Sequence, residues 1–246
     1  MSFSTRLFAA LLVCGVAAFA PSSALAQGST LRVTEAMSSS GVGGTSDWWE
    51  VTNFGSSAVD ITGWKFDDSS FAFANSVALN GVTSIAAGES VAFIETTTLD
   101  SGSAATQVSA FRSFWGGTAN LAQVGYYAGS GISFSSNGDG IVMFNGTGTE
   151  TTPRVTFGAA TTGSTFYYAY DAAGDPTTSP NTNAIVSTVG TLDGQVTFAS
   201  ASLVPQNIGS PGTAITAVPE PSTVATLACG GLLGLGFAAR RRRLES

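Results

Sequence analysis

From position 31 to about position 200 the chain alternates apolar and polar residues in short runs, most of them ending at a turn bearing Gly, Ser or Asn. A period of two belongs to strands with alternating faces, so the pattern predicts an all-β sandwich or barrel. Leu31, Val33 and Met37 fall on one face of a first strand, and a Gly/Ser loop spans 38–46. Trp48 to Asn53 reads as a second strand, and Phe54-Gly55-Ser56-Ser57 turns the chain. Val59 and Ile61 share a face in a short strand that leads to Gly63-Trp64-Lys65-Phe66-Asp67-Asp68. Thr83 to Ile85 and Ser90 to Ile94, joined by Ala87-Gly88-Glu89, are expected to form a strand pair.

One stretch has a different period. Val108, Phe111 and Trp115 lie at i, i+3 and i+7, which places them on one face of a helix running from Ser103 to Trp115. Ser101 or Ser103 is the expected N-cap, Gly116-Gly117 the stop, and the helix is expected to plug one end of the sandwich. The β pattern then resumes at Val124-Gly125-Tyr126-Tyr127, at Ile141 to Asn145 after the tight turn Asn137-Gly138-Asp139-Gly140, and at Arg154 to Phe157. Phe166 to Tyr170 and Gln195 to Phe198 are the last strands, separated by an expected exposed loop over 171–183. Gly209-Ser210-Pro211-Gly212 closes the domain, and 213–218 is a spacer.

Both ends depart from this pattern. Residues 1–26 have the parts of a signal peptide: Arg6, an apolar run from Leu7 to Ala20, and a small-residue cleavage site at Ala24-Leu25-Ala26. The C-terminal end reads Val218-Pro219-Glu220-Pro221, an uncharged apolar run over 223–239 rich in Leu, Gly and Ala, then Arg240-Arg241-Arg242-Arg243. About 17 apolar residues sit at the short end of what spans a bilayer, and proline favours a helix start after Pro221. Each arginine would cost roughly 2.5–3.5 kcal/mol at the bilayer centre, so the cluster stops transfer. The expectation is an exported domain held to the membrane by a C-terminal transmembrane helix.

Composition narrows the chemistry. The chain has no histidine, which removes Ser-His-Asp triads, Cys-His pairs and HExxH zinc sites. Cys14 falls in the signal peptide and Cys229 in the tail, so the exported domain has no disulfide and no thiolate site. Between Gln27 and Val218 stand four basic residues (Arg32, Lys65, Arg112, Arg154) against fourteen acidic ones, a net charge near −10. Such a surface repels phosphate backbones, and no nucleic-acid partner is expected.

Two kinds of site remain to be weighed. Asp47 and Glu50 flank the tryptophan pair, and Asp60, Asp67 and Asp68 follow closely. Paired carboxylates can act as glycosidase acid and base, and clustered oxygens can bind Ca²⁺. No carboxylate pair is set at a definable separation by the sequence, and Asn137 to Gly140 lacks the terminal Glu of an EF-hand loop. No catalytic residue, metal or cofactor is therefore expected beyond a weak calcium site. Adjacent aromatics on a strand point to opposite faces, so Trp49 and Tyr168 are candidates for surface rings that stack on a sugar. The Asn145-Gly146-Thr147 sequon fits a plain turn equally well.

The tail resembles the PEP-CTERM sorting signal of bacterial exported proteins: the Val-Pro-Glu-Pro at 218–221, the short glycine-rich helix and the arginine block stand in that order. The resemblance implies recognition by an exosortase, a membrane transpeptidase-like partner. Asp47-Trp48-Trp49-Glu50-Val51-Thr52-Asn53, then Val59-Asp60-Ile61-Thr62-Gly63-Trp64 and Ala87-Gly88-Glu89, are similar to the strands of the lamin-tail domain, an immunoglobulin-like β-sandwich. That resemblance is expected to cover 31–212 with one short inserted helix, and it implies a structural role for Asp60 and a core role for Trp64. Together these readings anticipate an exported, non-enzymatic surface or matrix module with a structural or adhesive role. The competing expectation is a secreted protein that binds or cleaves carbohydrate, with extracellular polysaccharide as its partner.

Overall fold

The computed structural model describes residues 30–213 apart from 45, 98, 117–120, 129–131, 172, 176–183, 189, 193–194 and 200–206. The expected signal peptide (1–26), the expected loop over most of 171–183 and the expected sorting tail (218–243) thus lie wholly or largely outside the described residues. The strands run in order β1 (Leu31–Met37), β2 (Trp48–Asn53), β3 (Val59–Asp60), β4 (Lys65–Asp67), β5 (Val77–Ala78), β6 (Ser84–Ile85) and β7 (Ser90–Thr96). Helix α1 (Ser101–Phe114) follows, then β8 (Val124–Ala128), β9 (Asp139–Phe144), β10 (Val155–Phe157), β11 (Phe166–Tyr167) and β12 (Ile185–Val186). β13 (Gly190–Leu192), β14 (Gln195–Ala199) and β15 (Ile208–Gly209) complete the chain.

Two sheets face each other. One has six strands in the order β12-β11-β1-β2-β7-β8, the other four in the order β10-β9-β4-β5. The rings between them come from both: Trp49 stacks on Phe93 at 5.1 Å and lies 5.0 Å from Phe66, which meets Tyr127 edge-on at 4.4 Å. Phe157 of β10 stacks on Phe166 of β11 at 5.0 Å across the gap. This is the β-sandwich that the alternation predicts, and Trp64 belongs to its core as expected.

Three expectations of how the elements pair and pack are corrected. First, β6 pairs with β3, while β7 pairs with β2 and β8, so Thr83–Ile85 and Ser90–Ile94 are not partners. Second, the register of β1 on β2 shifts between Val33 and Glu35. The extra residue, Thr34, is a bulge, and it re-aims everything after it. Leu31, Val33 and Ala36 therefore face the sandwich interior, whereas Met37 faces the outside of the six-stranded sheet. Third, α1 does not plug an end of the sandwich.

β7 and β8 are parallel, and parallel neighbours need a crossover connection, which α1 supplies. Its apolar stripe is the one read from the sequence: Phe111 and Trp115 are buried and Val108 is partly buried against Met37, Trp48, Ile94, Leu121 and Val124. Trp48 meets Phe111 at 5.5 Å and Trp115 at 5.7 Å, both edge-on. The two adjacent tryptophans thus serve two cores, Trp49 inside the sandwich and Trp48 beneath the helix. The N-cap is Asp100 rather than either serine; its carboxylate accepts the Ser103 N–H at 2.9 Å. An ionised acceptor at this position bonds more strongly than a hydroxyl. Trp115 closes the far end through its N–H to Phe111 O, and Gly116 turns away at φ +101°, a conformation open to glycine. Among the described residues no helix is long and apolar enough to cross a membrane.

Candidate functional site

The expected surface rings are not at the surface. Trp49 is 0% and Tyr168 is 1% exposed, and both belong to the sandwich core. This corrects the sugar-stacking assignment of both residues. Trp49 is inward because its register partner Ala36 faces the interior, and Tyr168 is anchored by its hydroxyl, which donates to Thr156 O at 3.1 Å. Tyr167 and Tyr170 are buried as well, and of the Tyr126–Tyr127 pair only Tyr126 is half-exposed.

The acidic residues singled out by the sequence separate into several small settings. Asp60 is exposed and accepts the Thr62 N–H at 2.8 Å, the turn role that the resemblance implies. Buried Asp67 accepts from Ser70 Oγ and the Ala72 N–H, both at 2.6 Å, and holds the loop that follows β4. Half-buried Asp68 accepts the Ser70 N–H at 3.1 Å. Asp47 accepts the Phe134 N–H at 2.9 Å; burial, then the charges of Glu95 and Asp139, push its carboxyl up to about 6. Asp139 accepts N–H groups from Ser69, Ser135 and Gly140, so the turn 137–140 is a loop anchor. Among the described residues no group of three or more His, Cys, Asp or Glu is placed to hold a metal ion. Asn145 closes its own hairpin, its side-chain oxygen accepting from the Thr147 and Thr149 N–H groups and the Thr147 hydroxyl.

One carboxyl pairing joins Glu50 to a residue that the sequence did not single out. The bulge at Thr34 brings Glu35 directly opposite Glu50 on the outer face of the six-stranded sheet. Residues so paired have Cβ atoms about 4.5–5.5 Å apart. Both glutamates are 0% exposed. They are covered by the segment 207–213, which contains β15 and carries no charge. Glu35 accepts from the Ser210 N–H at 2.9 Å, the Ser210 hydroxyl at 3.3 Å and the Thr165 hydroxyl at 2.6 Å. Glu50 accepts from the Thr34 hydroxyl at 2.6 Å and from the Gly212 N–H. Further hydroxyls extend the polar layer, Thr34 to Thr52 at 3.0 Å, Thr52 to Ser90 at 2.7 Å and Thr165 to Ser187 at 2.7 Å.

Every donor to this pair is neutral, and burial disfavours the charged form. Burial pushes Glu50 up to about 7, against the hydrogen bonds from Thr34 and Gly212 that favour ionisation. Burial and then the charge of Glu50 push Glu35 up to about 8. The protons leave in two steps that belong to the pair, because the first charge to form opposes the second. A signal for this site was present in the strand alternation, since Glu50 and Thr52 share a face. The bulge that aligns Glu35 with them has no marker in the sequence.

No curated protein and no solved structure matches the chain. The model of the PEP-CTERM protein-sorting motif matches residues 217–243, which include the expected Val218-Pro219-Glu220-Pro221 and Arg240 to Arg243. The Lamin Tail Domain model matches residues 24–159, more than half of the chain. The six-stranded sheet continues past that match, because β11 and β12 join it beside β1. By that match, and by the sandwich into which these residues fold, the chain belongs to the lamin tail domain family and carries a PEP-CTERM sorting motif behind it.

Proposed function

We propose that this is a non-catalytic surface or matrix module, exported by its signal peptide and held by the helix expected at 223–239 until an exosortase-like enzyme processes the tail. Its role is structural or adhesive. The observation that carries the reading is the succession of a lamin tail domain and a PEP-CTERM motif in one chain. The interior supports it. The rings that would have stacked on a sugar are core residues, and the Glu35–Glu50 pair lies beneath Ser210 and Gly212, where a glycosidic oxygen has no approach.

The test is the intact mass of the protein from its native host, with envelope and medium analysed separately. A chain ending near Pro219–Ser222 in the surface or medium fraction is expected. A chain ending at Ser246 and found only in membranes overturns the sorting step and leaves a plain anchor. Turnover of a polysaccharide by the purified protein, abolished by Glu50→Gln, would overturn the non-catalytic role.

A further inference from the structure

We propose that residues 207–213 are a pH-sensitive strap, docked on the Glu35–Glu50 pair while the pair retains a proton and lifted off when both carboxyls ionise, so that the reach of the sorting motif is set by pH. The consequence of the strap for the motif rests on the proposed sorting.

The contacts of the strap fall into two groups. Away from the carboxyls, the strap is held by the pairing of Ile208 and Gly209 with Ala199 and Phe198 of β14, by Ile208, whose N–H donates to Gly163 O and whose carbonyl accepts from the Thr165 N–H, and by Asn207, which bonds Gly41 N and Val42 O. Its centre is held by the carboxyls: the Ser210 N–H and hydroxyl on Glu35, and the Gly212 N–H on Glu50. Gly209 allows this approach, because a Cβ there would lie 2.9 Å from Glu35 Oε1 and 2.9 Å from Thr165 Cγ2. A carboxyl pair that keeps one proton carries a single negative charge and still accepts these bonds. Two carboxylates side by side in a dry layer repel, and water supplied by lifting the strap relieves them.

Among the described residues no basic side chain bonds either carboxyl. Arg32, the basic residue of β1, donates to Gly174 O and Leu31 O. On β11 the titratable neighbour is Tyr167, the register partner of Glu35. On β7 it is Glu95, three residues past Ala92, the partner of Glu50. The strap has none. Burial raises both carboxyls, to about 7 for Glu50 and about 8 for Glu35, so the docked form binds protons more tightly than the released form. Docking is therefore strongest in mild acid and weakens as pH rises, by up to about tenfold per pH unit for each proton held.

The geometric effect is large. With Thr213 docked, five residues reach to Val218, about 17 Å at full extension; released from Asn207, eleven residues span about 37 Å. A motif that has to enter a membrane enzyme is less hindered by its own domain at the longer tether.

Hydrogen exchange of the full chain in detergent micelles, read by mass spectrometry at pH 6 and pH 8 and corrected for intrinsic exchange, tests this. Protection of a peptide covering 207–213 should fall at least tenfold from pH 6 to pH 8 while β7 stays protected. Glu50→Gln should flatten the change, and Gly209→Ala, which crowds Glu35, should expose the strap already at pH 6. Equal protection at both pH values, or an unchanged pH effect in Glu50→Gln, overturns the proposal. If a variant does not fold, the wild-type comparison decides alone. The readout needs no exosortase, so strap opening in a chain that keeps Ser246 would uphold the switch while removing sorting as its use.

Discussion

Gly125 lies on β8 opposite Phe93 of β7, and a Cβ there would stand 2.2 Å from Phe93 Cε1, 2.4 Å from Cδ1 and 2.9 Å from Asn80 O. None of these can yield cheaply. Phe93 is fully buried and stacked on Trp49 at 5.1 Å, and Asn80 is fixed by a reciprocal backbone bridge to Tyr126 at 2.9 Å each way. Overpacking of this kind costs about 1–3 kcal/mol, and a rigid ring at 2.2 Å puts Gly125→Ala at the upper end. Against this stands about 0.4–1 kcal/mol gained by restricting the unfolded chain. The net expectation is a loss of about 2 kcal/mol, a urea midpoint lower by about 1 M for a slope near 2 kcal/mol/M.

Tryptophan fluorescence during urea unfolding reads the change directly, because Trp49 lies against the ring that must move. Gly158→Ala is the matched control: nothing lies within 4 Å of its added Cβ, and its backbone is not left-handed, so it should stabilise by about 0.4–1 kcal/mol. Shortening Phe93 to Leu should cost less in the Gly125→Ala background than in the wild type, since it relieves the clash. Equal stability of Gly125→Ala and Gly158→Ala would refute the packing argument.

Other outcomes follow from the same contacts. Phe111→Ala removes the centre of the helix–sheet cluster and should cost about 3–5 kcal/mol by denaturation. Asn53→Ala strips the bonds that its amide donates to Ser57, Ile85 and Ala86 carbonyls and that its oxygen accepts from Gly55 N–H, so a loss of about 3 kcal/mol is expected in the same assay. Glu35, Glu50 and Asp47 all have raised carboxyls in the fold. The folded state then binds more protons than the unfolded one. The contribution of the two glutamates is complete below about pH 4.5 and is lost as pH rises through 7 to 8, and that of Asp47 is complete below about pH 3.8 and is lost by about pH 6, each at up to about 1.4 kcal/mol per pH unit. Thermal unfolding from pH 5 to pH 8 should show a falling midpoint, flatter in Glu50→Gln; a flat or rising wild-type curve would contradict the assignment.

Periodicity made the strands and the helix readable because each buries a continuous apolar face. Val108, Phe111 and Trp115 marked the helix stripe, and the bounds of β2 agree with the run Trp48 to Asn53. What the residues did not reveal was set by long-range geometry. A bulge has no residue signature of its own, so simple alternation puts Met37 on the face of Leu31 and Val33 and leaves Glu35 unmatched with Glu50. Adjacent tryptophans read as one buried and one exposed ring, whereas a sheet covered on both faces buries both. The alternation rule was sound at Trp48 and Trp49; the assumption of a bare outer face was not.

That outer face is covered in two halves of opposite chemistry, and the division runs along single strands. On β2, Trp48 lies under the helix while Glu50 and Thr52 lie in the polar layer; on β7, Ile94 and Ala92 are in the helix cluster while Ser90 bonds Thr52. The buried side chains that meet under α1, among them Met37, Trp48, Ile94, Phe111 and Trp115, do not titrate, so their apolar burial does not change with pH. Burial of Glu35 and Glu50 depends on it directly. One sheet therefore carries a cover indifferent to protons beside one governed by them, and the governed cover, residues 207–213, is the one that leads into the match at 217–243. Raising the pH should loosen the strap and leave the helix packed, a separation that a general loss of stability cannot produce.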